Sequence, residues 1–299
     1  MASDEGRGDA CIAPTAPPKV RSLLADALLA LLGNRTSMLG ALILLAWAVL
    51  ALGADVIAPH DPLEQDVVNR LHPPSPEHLC GTDELGRDIL SRVVHGARIS
   101  LPMGVFVIFF AVCIGGAVGA FSGYLGGLFD EVAMRIADVT LAFPSIVLAL
   151  AIAASLGPSL RNALLAMVAV WWPEYARVMR GQVLAARYKE YVVAARSIGA
   201  TESRILFVHI LPNAIAPIVV KATLDIGNAI LLVAALSFIG LGAVPPTPEW
   251  GAMIAAGRQK FYQWWMATFP GLAILSVVMG FNFLGDGLRD TLDPYLRGA

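Results

Sequence analysis

Charge is scarce in this sequence. Only 15% of its 299 residues are Asp, Glu, Lys or Arg, against about 25% in an ordinary soluble domain. With 57% of the residues hydrophobic, the deficit marks an integral membrane protein before any residue is read singly. A formal net charge of −2 gives no electrostatic case for a nucleic-acid partner. Cysteine is nearly absent: Cys11, Cys80 and Cys113 are odd in number and scattered, and supply neither a disulfide framework nor a C-x-x-C metal or redox motif. Lysine is rare too. The four lysines follow Pro18, Tyr188, Val220 and Gln259, never the glycine that a phosphate-cradling Gly-Lys-Ser/Thr loop requires. The chain is therefore not expected to hydrolyse ATP or to hold a cofactor. No Ser/His/Asp, Cys/His or paired-carboxylate arrangement stands out within the apolar spans, so it does not read as an enzyme. His72, His78 and Cys80 crowd a proline-rich stretch, but their spacing fits no established ligand set, and no metal site is expected there.

Long apolar runs are what the chain has in plenty. A bilayer core about 30 Å thick takes roughly 20 residues of helix, and six segments qualify: 38–58, 99–122, 133–156, 160–181, 214–242 and 265–287. Every backbone polar group must be satisfied inside lipid, so these are helices, and the expected fold class is an all-α, multi-pass membrane protein with six transmembrane helices. Residues 1–37 read as a cytoplasmic N-terminal segment with a helical lead-in, Val20–Leu32, lying on the membrane surface. They are not a secretory signal, because the first long apolar run begins only at Met38 and further spans follow it. With the N-terminus inside, inside segments carry thirteen Lys and Arg and outside segments seven. That bias places both termini in the cytoplasm, with 288–299 as the tail.

The spans carry features of their own. Gly115, Gly119 and Gly123 form a double G-x-x-x-G in the second span, a spacing that admits a close helix neighbour; glycine is also simply frequent in membrane helices. Lys221 and Asp225 lie four apart in the fifth span. Ionisable residues at membrane depth are costly and face a cavity or each other, so the pair reads either as lining a translocation path or as an internal ion pair. Arg135 and Asp138 read as a structural pair in the third span, and Pro144 as a kink. Glu174, Arg177 and Arg180 end the fourth span as interfacial anchors or partner contacts. Trp171-Trp172 and Trp264-Trp265 read as interfacial aromatics.

Two connections stand out. The external loop 59–98 is long and proline-bearing, with seven acidic and four basic residues from Asp61 to Arg98. From Gly81 onward, a Thr/Asp cap signal and Leu85, Ile89 and Val93 at helical spacing predict an amphipathic helix leading into the second span. On the cytoplasmic side, the loop 185–213 is polar and basic; from 174 to 213 there are six basic and three acidic residues. Lys189 to Ser197 predicts one short helix, and Gly199 a left-handed turn that needs no Cβ. Thr201 then caps a second helix, with Glu202 well placed against its N-terminal dipole, and Pro212 interrupts. A helix, a glycine turn and a second helix make a compact element able to transmit a push from a soluble partner.

Ala194-Ala195, Gly199 and Leu211-Pro212 resemble the EAA loop of permease subunits in bacterial ABC importers. Val193 stands where that pattern has Glu, with Glu190 a turn earlier. His209, before Ile-Leu-Pro-Asn, resembles the peptide/nickel branch. Gly81-Thr82-Asp83, Gly86-Arg87-Asp88, Ser91-Arg92 and Gly96 to Leu101 are similar to the C-type permease subunits of dipeptide importers. So are Pro245 to Gly251 and the tail Asn282 to Pro294. The resemblance covers nearly the whole chain. It implies a type I ABC importer bundle with cytoplasmic coupling helices, and coupling to ATPases through Glu190, Ala194, Ala195, Arg196, Gly199, Ala200, Thr201, Arg204, Leu211 and Pro212. It further implies a homologous second permease, two cytoplasmic P-loop ATPases that hold ATP and Mg, an extracytoplasmic solute-binding protein and a place in the cytoplasmic membrane. The expected cargo is dipeptides or short oligopeptides; nickel, nickel chelates or glutathione carried by the same machinery is the alternative. A stand-alone secondary transporter or channel would show internal repeats or several midplane charges. Neither is evident, and the ordered loop would go unexplained.

Overall fold

The computed structural model describes residues 34–292; the lead-in expected at Val20–Leu32 lies outside them. Every named element is a helix: α1 (Arg35–Leu52), α2 (Ala54–Ile57), α3 (Ile89–Leu125), α4 (Gly127–Leu141), α5 (Ser145–Leu156), α6 (Leu160–Arg187), α7 (Glu190–Ser197), α8 (Glu202–Arg204) running through a π-helical turn at Ile205–Ile210 into α9 (Leu211–Ile239), α10 (Trp250–Arg258) and α11 (Trp265–Leu292). Four helices are long and apolar enough to cross a membrane. They start at Arg35, Ile89, Glu202 and Trp265, and α4 with α5 would make a fifth if the bent pair is one span. The expected 133–156 span is thus not one straight rod. Its halves meet at 92°, with Pro144 as the N-cap of α5: the residue before a proline is pushed out of the helical region. The expected 160–181 span lies in α6, which is long enough but is not among the helices apolar enough to qualify.

The tightest packing joins α3 to α6, and the glycine triplet is its cause. A Cβ on Gly115 would sit 2.2 Å from the Trp172 carbonyl oxygen, one on Gly119 2.2 Å from that of Ala176, and one on Gly123 2.8 Å from that of Arg180. Removing three side chains along one stripe lets the two backbones touch, which is how membrane helices pack without a hydrophobic drive between them. Buried side chains then fill the space around α3, α6 and α9, among them Val107, Tyr175, Val183, Ile218 and Val233. A second core, built on Ile89, Val93, Ile230, Trp250, Met266 and Val277, lies toward the end that bears the 58–88 loop and α10. Following the charge bias, this is called the outer end. Helix α1 packs on α11, with Gly40 against the Gly280 carbonyl, and leaves Leu42, Leu45 and Val49 exposed. Arg98 closes its end by donating to the Ala51 and Leu52 carbonyls and pairing with Asp55 at 2.8 and 2.9 Å.

Three local expectations change. Residues 81–88 are not helical: Gly81 and Gly86 turn the chain at φ +74° and +76°, Thr82 bridges Asp88, and the helix starts only after Asp88, whose Oδ2 accepts the Ser91 N–H. Pro212 does not interrupt the helix. In the π turn just before it, the Leu211 N–H reaches the Leu206 carbonyl, and the widened turn absorbs a proline ring that would clash with a regular ladder. Asp138 pairs with Arg177 at 2.5 Å rather than with Arg135, because α4 lies against α6 and the partner across the interface wins over the one along the helix.

Candidate functional site

The inner end is built on the loop from Tyr188 to Ile210. Helix α7 stops in the manner expected. Gly199 adopts φ +83°, its N–H bonds to the Arg196 carbonyl, and the Ala200 N–H reaches back to Ala195. This pair of bonds is a Schellman stop. No atom lies within 4 Å of where a Gly199 Cβ would be, so glycine is required by the backbone angle and not by crowding. The Thr201 hydroxyl accepts from the Arg204 N–H at 3.4 Å, and Glu202 stands in the first turn that follows.

The loop has two faces. Val192, Ala195, Ile205, Leu206 and Ile210 belong to the main core of the bundle. Glu190, Tyr191, Val193, Ala194, Arg196 and Ile198 are exposed, as is Tyr188 just before them. Ile198 is 86% exposed and Tyr188 76%, a large apolar surface for one small loop. Glu190 and Val193, three residues apart, share an exposed face, so the acidic residue missing at 193 has a neighbour on the same side.

A polar knot ties the loop to the bundle. The Tyr124 hydroxyl, at the inner end of α3, donates to the Glu202 carboxylate. Arg196 of α7 donates to the same carboxylate at 3.3 Å, and the Arg187 guanidinium lies 5.9 Å from the Tyr124 ring centre. Glu202 thus joins α7, α8 and α3. Tyr124 and Arg187 were not legible as site residues, because Tyr124 is 78 positions from its partner and periodicity reports only neighbours.

Lys221 and Asp225 meet at 2.8 Å, inside a larger network. Glu174 also reaches Lys221 at 2.9 Å, the Tyr175 hydroxyl donates to Asp225 at 2.7 Å, and the Lys221 ammonium stands 5.3 Å from the Tyr175 ring centre. Lys221 is about 15 Å of helix rise beyond Leu211, near half the thickness of a bilayer core. Arg180 pairs with Asp130 through two bonds of 2.5 and 2.6 Å. The charges of α6 are therefore matched across α4 and α9 and are not simple interfacial anchors.

At the outer end, charge is buried and tied. Asp83 accepts from Arg87 Nε at 2.7 Å and from the Leu85 and Arg87 N–H groups, while Arg92 stands 3.7 Å away. The Trp265 indole, expected at the membrane interface, instead donates to the Thr82 carbonyl and is buried, whereas Trp264 is exposed. Trp171 is likewise in the core. The Trp250 indole donates to the Val93 carbonyl at 2.9 Å, and a Cβ on Gly251 would lie 2.3 Å from the Ala234 carbonyl. Glu249 caps α10 through the Gly251 and Ala252 N–H groups. Burial raises its pKa, and those two bonds oppose the rise. Burial, with Asp88 adding to it, pushes the Cys80 thiol up to about 11, so it is a poor thiolate ligand. His72 turns to its neighbour's carbonyl, that of Pro73.

The structure is thus a helical membrane bundle with a two-faced loop anchored at one end. Sequence comparison gives the lineage. Residues 115–298 match the binding-protein-dependent transport system inner membrane component, and residues 22–74 the N-terminal TM domain of oligopeptide transport permease C. The chain belongs to this family of ABC importer permeases, proteins of the bacterial inner membrane. It is 46% identical to the dipeptide transport system permease protein DppC of Alkalihalophilus pseudofirmus, over 88% of this chain and 87% of that one. It is 47% identical to the probable D,D-dipeptide transport system permease protein DdpC of Escherichia coli, over 89% and 90%. It is 46% identical to the glutathione transport system permease protein GsiD of an Escherichia coli strain, over 88% and 87%. Among solved structures, inward facing conformations of the MetNI methionine ABC transporter share the fold, at TM-score 0.56 and 20% identity over 69% of this chain and 98% of that chain.

Proposed function

We propose that this chain is one of two membrane subunits of an ATP-driven importer that carries dipeptides or short oligopeptides into the bacterial cytoplasm. One observation carries the coupling mechanism: a loop that sinks Val192, Ala195 and Ile205 into the bundle core while exposing Tyr188, Val193 and Ile198. Such a loop is both a handle and a docking face. Two P-loop ATPases, holding ATP and Mg, would grip the exposed face through Glu190, Ala194, Arg196 and the Gly199–Arg204 turn. Closure of the ATPase pair would move the loop, and Leu211-Pro212, in unbroken continuation of it, would carry the motion into α9. The bundle then shifts between two packings, biased by ATP through its differential grip on them. A homologous permease completes the path, and a solute-binding protein docks at the outer end.

In this reading the chain crosses the membrane six times, with both termini cytoplasmic. The four apolar helices are joined by the bent α4–α5 pair and by α6, whose charges Glu174, Arg177 and Arg180 are neutralised against Lys221, Asp138 and Asp130. The named relatives support a peptide cargo, and the glutathione permease supports glutathione as the second reading. In this reading Lys221 and Asp225, paired with each other and with Glu174, also face the path; a purely internal ion pair is the alternative. Lys221→Ala or Asp225→Ala should lower labelled-dipeptide uptake while the complex still assembles; normal uptake in both variants removes them from it.

Mild-detergent affinity purification from native membranes, read by mass spectrometry, tests the assembly. A second permease and P-loop ATPases should come along, and the ATPases should be lost when Gly199 and its flanking loop are disrupted. Recovery of this chain alone, from membranes where such ATPases are expressed, would overturn the reading.

A further inference from the structure

We propose that His60, His78 and Asp88 form a binding site for one first-row transition-metal dication of the zinc type. The site stands on local geometry and is independent of the cargo. The three residues are brought together by different means. His60 follows α2 at the end of the first helix. His78 sits in a turn, where its N–H donates to the Ser75 hydroxyl and its carbonyl accepts from Ser75 and Gly81. Asp88 is the N-cap of α3. One ligand atom from each lies within 4.8 Å of the others.

The orientation favours an ion over a simple hydrogen-bond cluster. His78 Nδ1 is 3.0 Å from Asp88 Oδ1, and His60 Nδ1 is 3.9 Å from the same oxygen. The latter is too long for a hydrogen bond. His60 Nδ1 is nevertheless buried and has no hydrogen-bond partner among the described residues, a state that ordinarily costs free energy. Donors about 2.0–2.1 Å from a tetrahedral metal stand about 3.3 Å from one another, and the two separations from Asp88 Oδ1, 3.0 and 3.9 Å, bracket that spacing. The second oxygen of Asp88 accepts from the Ser91 N–H and hydroxyl at 2.7 Å each. Those bonds fix the carboxylate and turn Oδ1, which faces His78 Nδ1 at 3.0 Å, toward the ion's position, as supporting hydrogen bonds do around metal ligands.

The surroundings agree. The triad borders a cleft of about 280 Å³, also lined by Asp61, Glu64, Asp66 and Glu77. These carboxylates concentrate cations at the mouth and can complete the coordination directly or through water. Two imidazoles point to zinc, nickel, cobalt or copper and away from calcium and magnesium, which take oxygen ligands. Binding displaces the Nδ1 proton that His78 shares with Asp88. The ion would clasp the exit of the first helix and the 61–88 loop to the head of α3.

The test uses the full chain in detergent, purified without a histidine tag and stripped with chelator. Titration with Co²⁺ should saturate at one ion per chain with a visible d–d band. Zn²⁺ should displace it, and Ca²⁺ and Mg²⁺ should not. His60→Ala and His78→Ala should each weaken binding by about tenfold or more, while His72→Ala, close in sequence but outside the triad, should leave it unchanged. Thermal unfolding of the metal-free variants serves as the check on folding. Absence of saturable one-to-one binding by the unsubstituted chain overturns the proposal, and so does equal affinity in the His60→Ala/His78→Ala double variant.

Discussion

The two ends of the bundle solve opposite problems. At the outer end, several charged groups are buried and held by partners: Asp83 with Arg87 and Arg92, Asp88 with Ser91, Glu249 with the head of α10. At the inner end, apolar groups are exposed: Tyr188, Val193 and Ile198 have little over them. The outer end ties its buried charge within one chain, although Val68, Phe261 and Tyr262 stand exposed there as well. In the proposed assembly, the inner end is where a soluble partner would cover Tyr188 and Ile198. Substitutions should therefore separate stability at one end from coupling at the other.

The largest expected effect is at the outer end. Asp83→Ala strips the carboxylate from two guanidiniums that are nearly inaccessible, with Arg87 and Arg92 side chains 9% and 6% exposed. Breaking a buried pair by removing one partner costs about 3–5 kcal/mol. The variant should unfold at clearly lower temperature in detergent. An unchanged midpoint would mean that the outer end is not the stabilising one.

Gly199→Val comes next and tests the inner end. Forcing a side chain into the left-handed region costs about 1–2 kcal/mol, with no clash added. The bundle should stay folded while peptide-stimulated ATP hydrolysis in the assembled complex falls steeply. Equal loss of thermal stability and of coupling would erase the contrast between the ends. Smaller still is Arg196→Ala. The pair with Glu202 has side chains 46% and 63% exposed, and solvent screens such a pair so that it adds little to stability. Stability should barely move and uptake should drop; full uptake would show that the link from α7 to Glu202 is not needed for coupling.

Legibility followed range. The glycine stripe, the Gly199 turn and the Thr201 cap were readable because each is decided by residues a few positions apart. The charged pairs were misread where a tertiary partner outbid the local one, as when Asp138 chose Arg177 over Arg135. His72, His78 and Cys80 are neighbours in sequence, but only His78 joins His60 and Asp88 in space. Trp265 carries the signature of an interfacial aromatic and serves instead as a buried donor to Thr82. The π turn before Pro212 has no pattern in the residues that distinguishes it from a helix stop.

The smallest effect lies again at the outer end and is one of pH. Burial raises the pKa of Glu249 in the folded chain above its ordinary 4.5. A carboxyl with a raised folded pKa binds its proton more tightly when folded. Its contribution is therefore fully present below the ordinary value and is lost as pH rises through the higher folded one. Hydrogen exchange across Trp250–Arg258 should accordingly report easier opening as pH climbs from the ordinary carboxylate value upward, after correction for intrinsic exchange rates. Glu249→Gln should flatten that dependence while keeping one acceptor for the cap, and the same experiment on Glu190–Ser197 should show no matching change. A pH slope that survives Glu249→Gln would locate the titrating group elsewhere. A slope of equal size at both ends would mean that the ends open together, and the contrast between an outer end of buried, partnered charge and an inner loop proposed to meet a partner would fail.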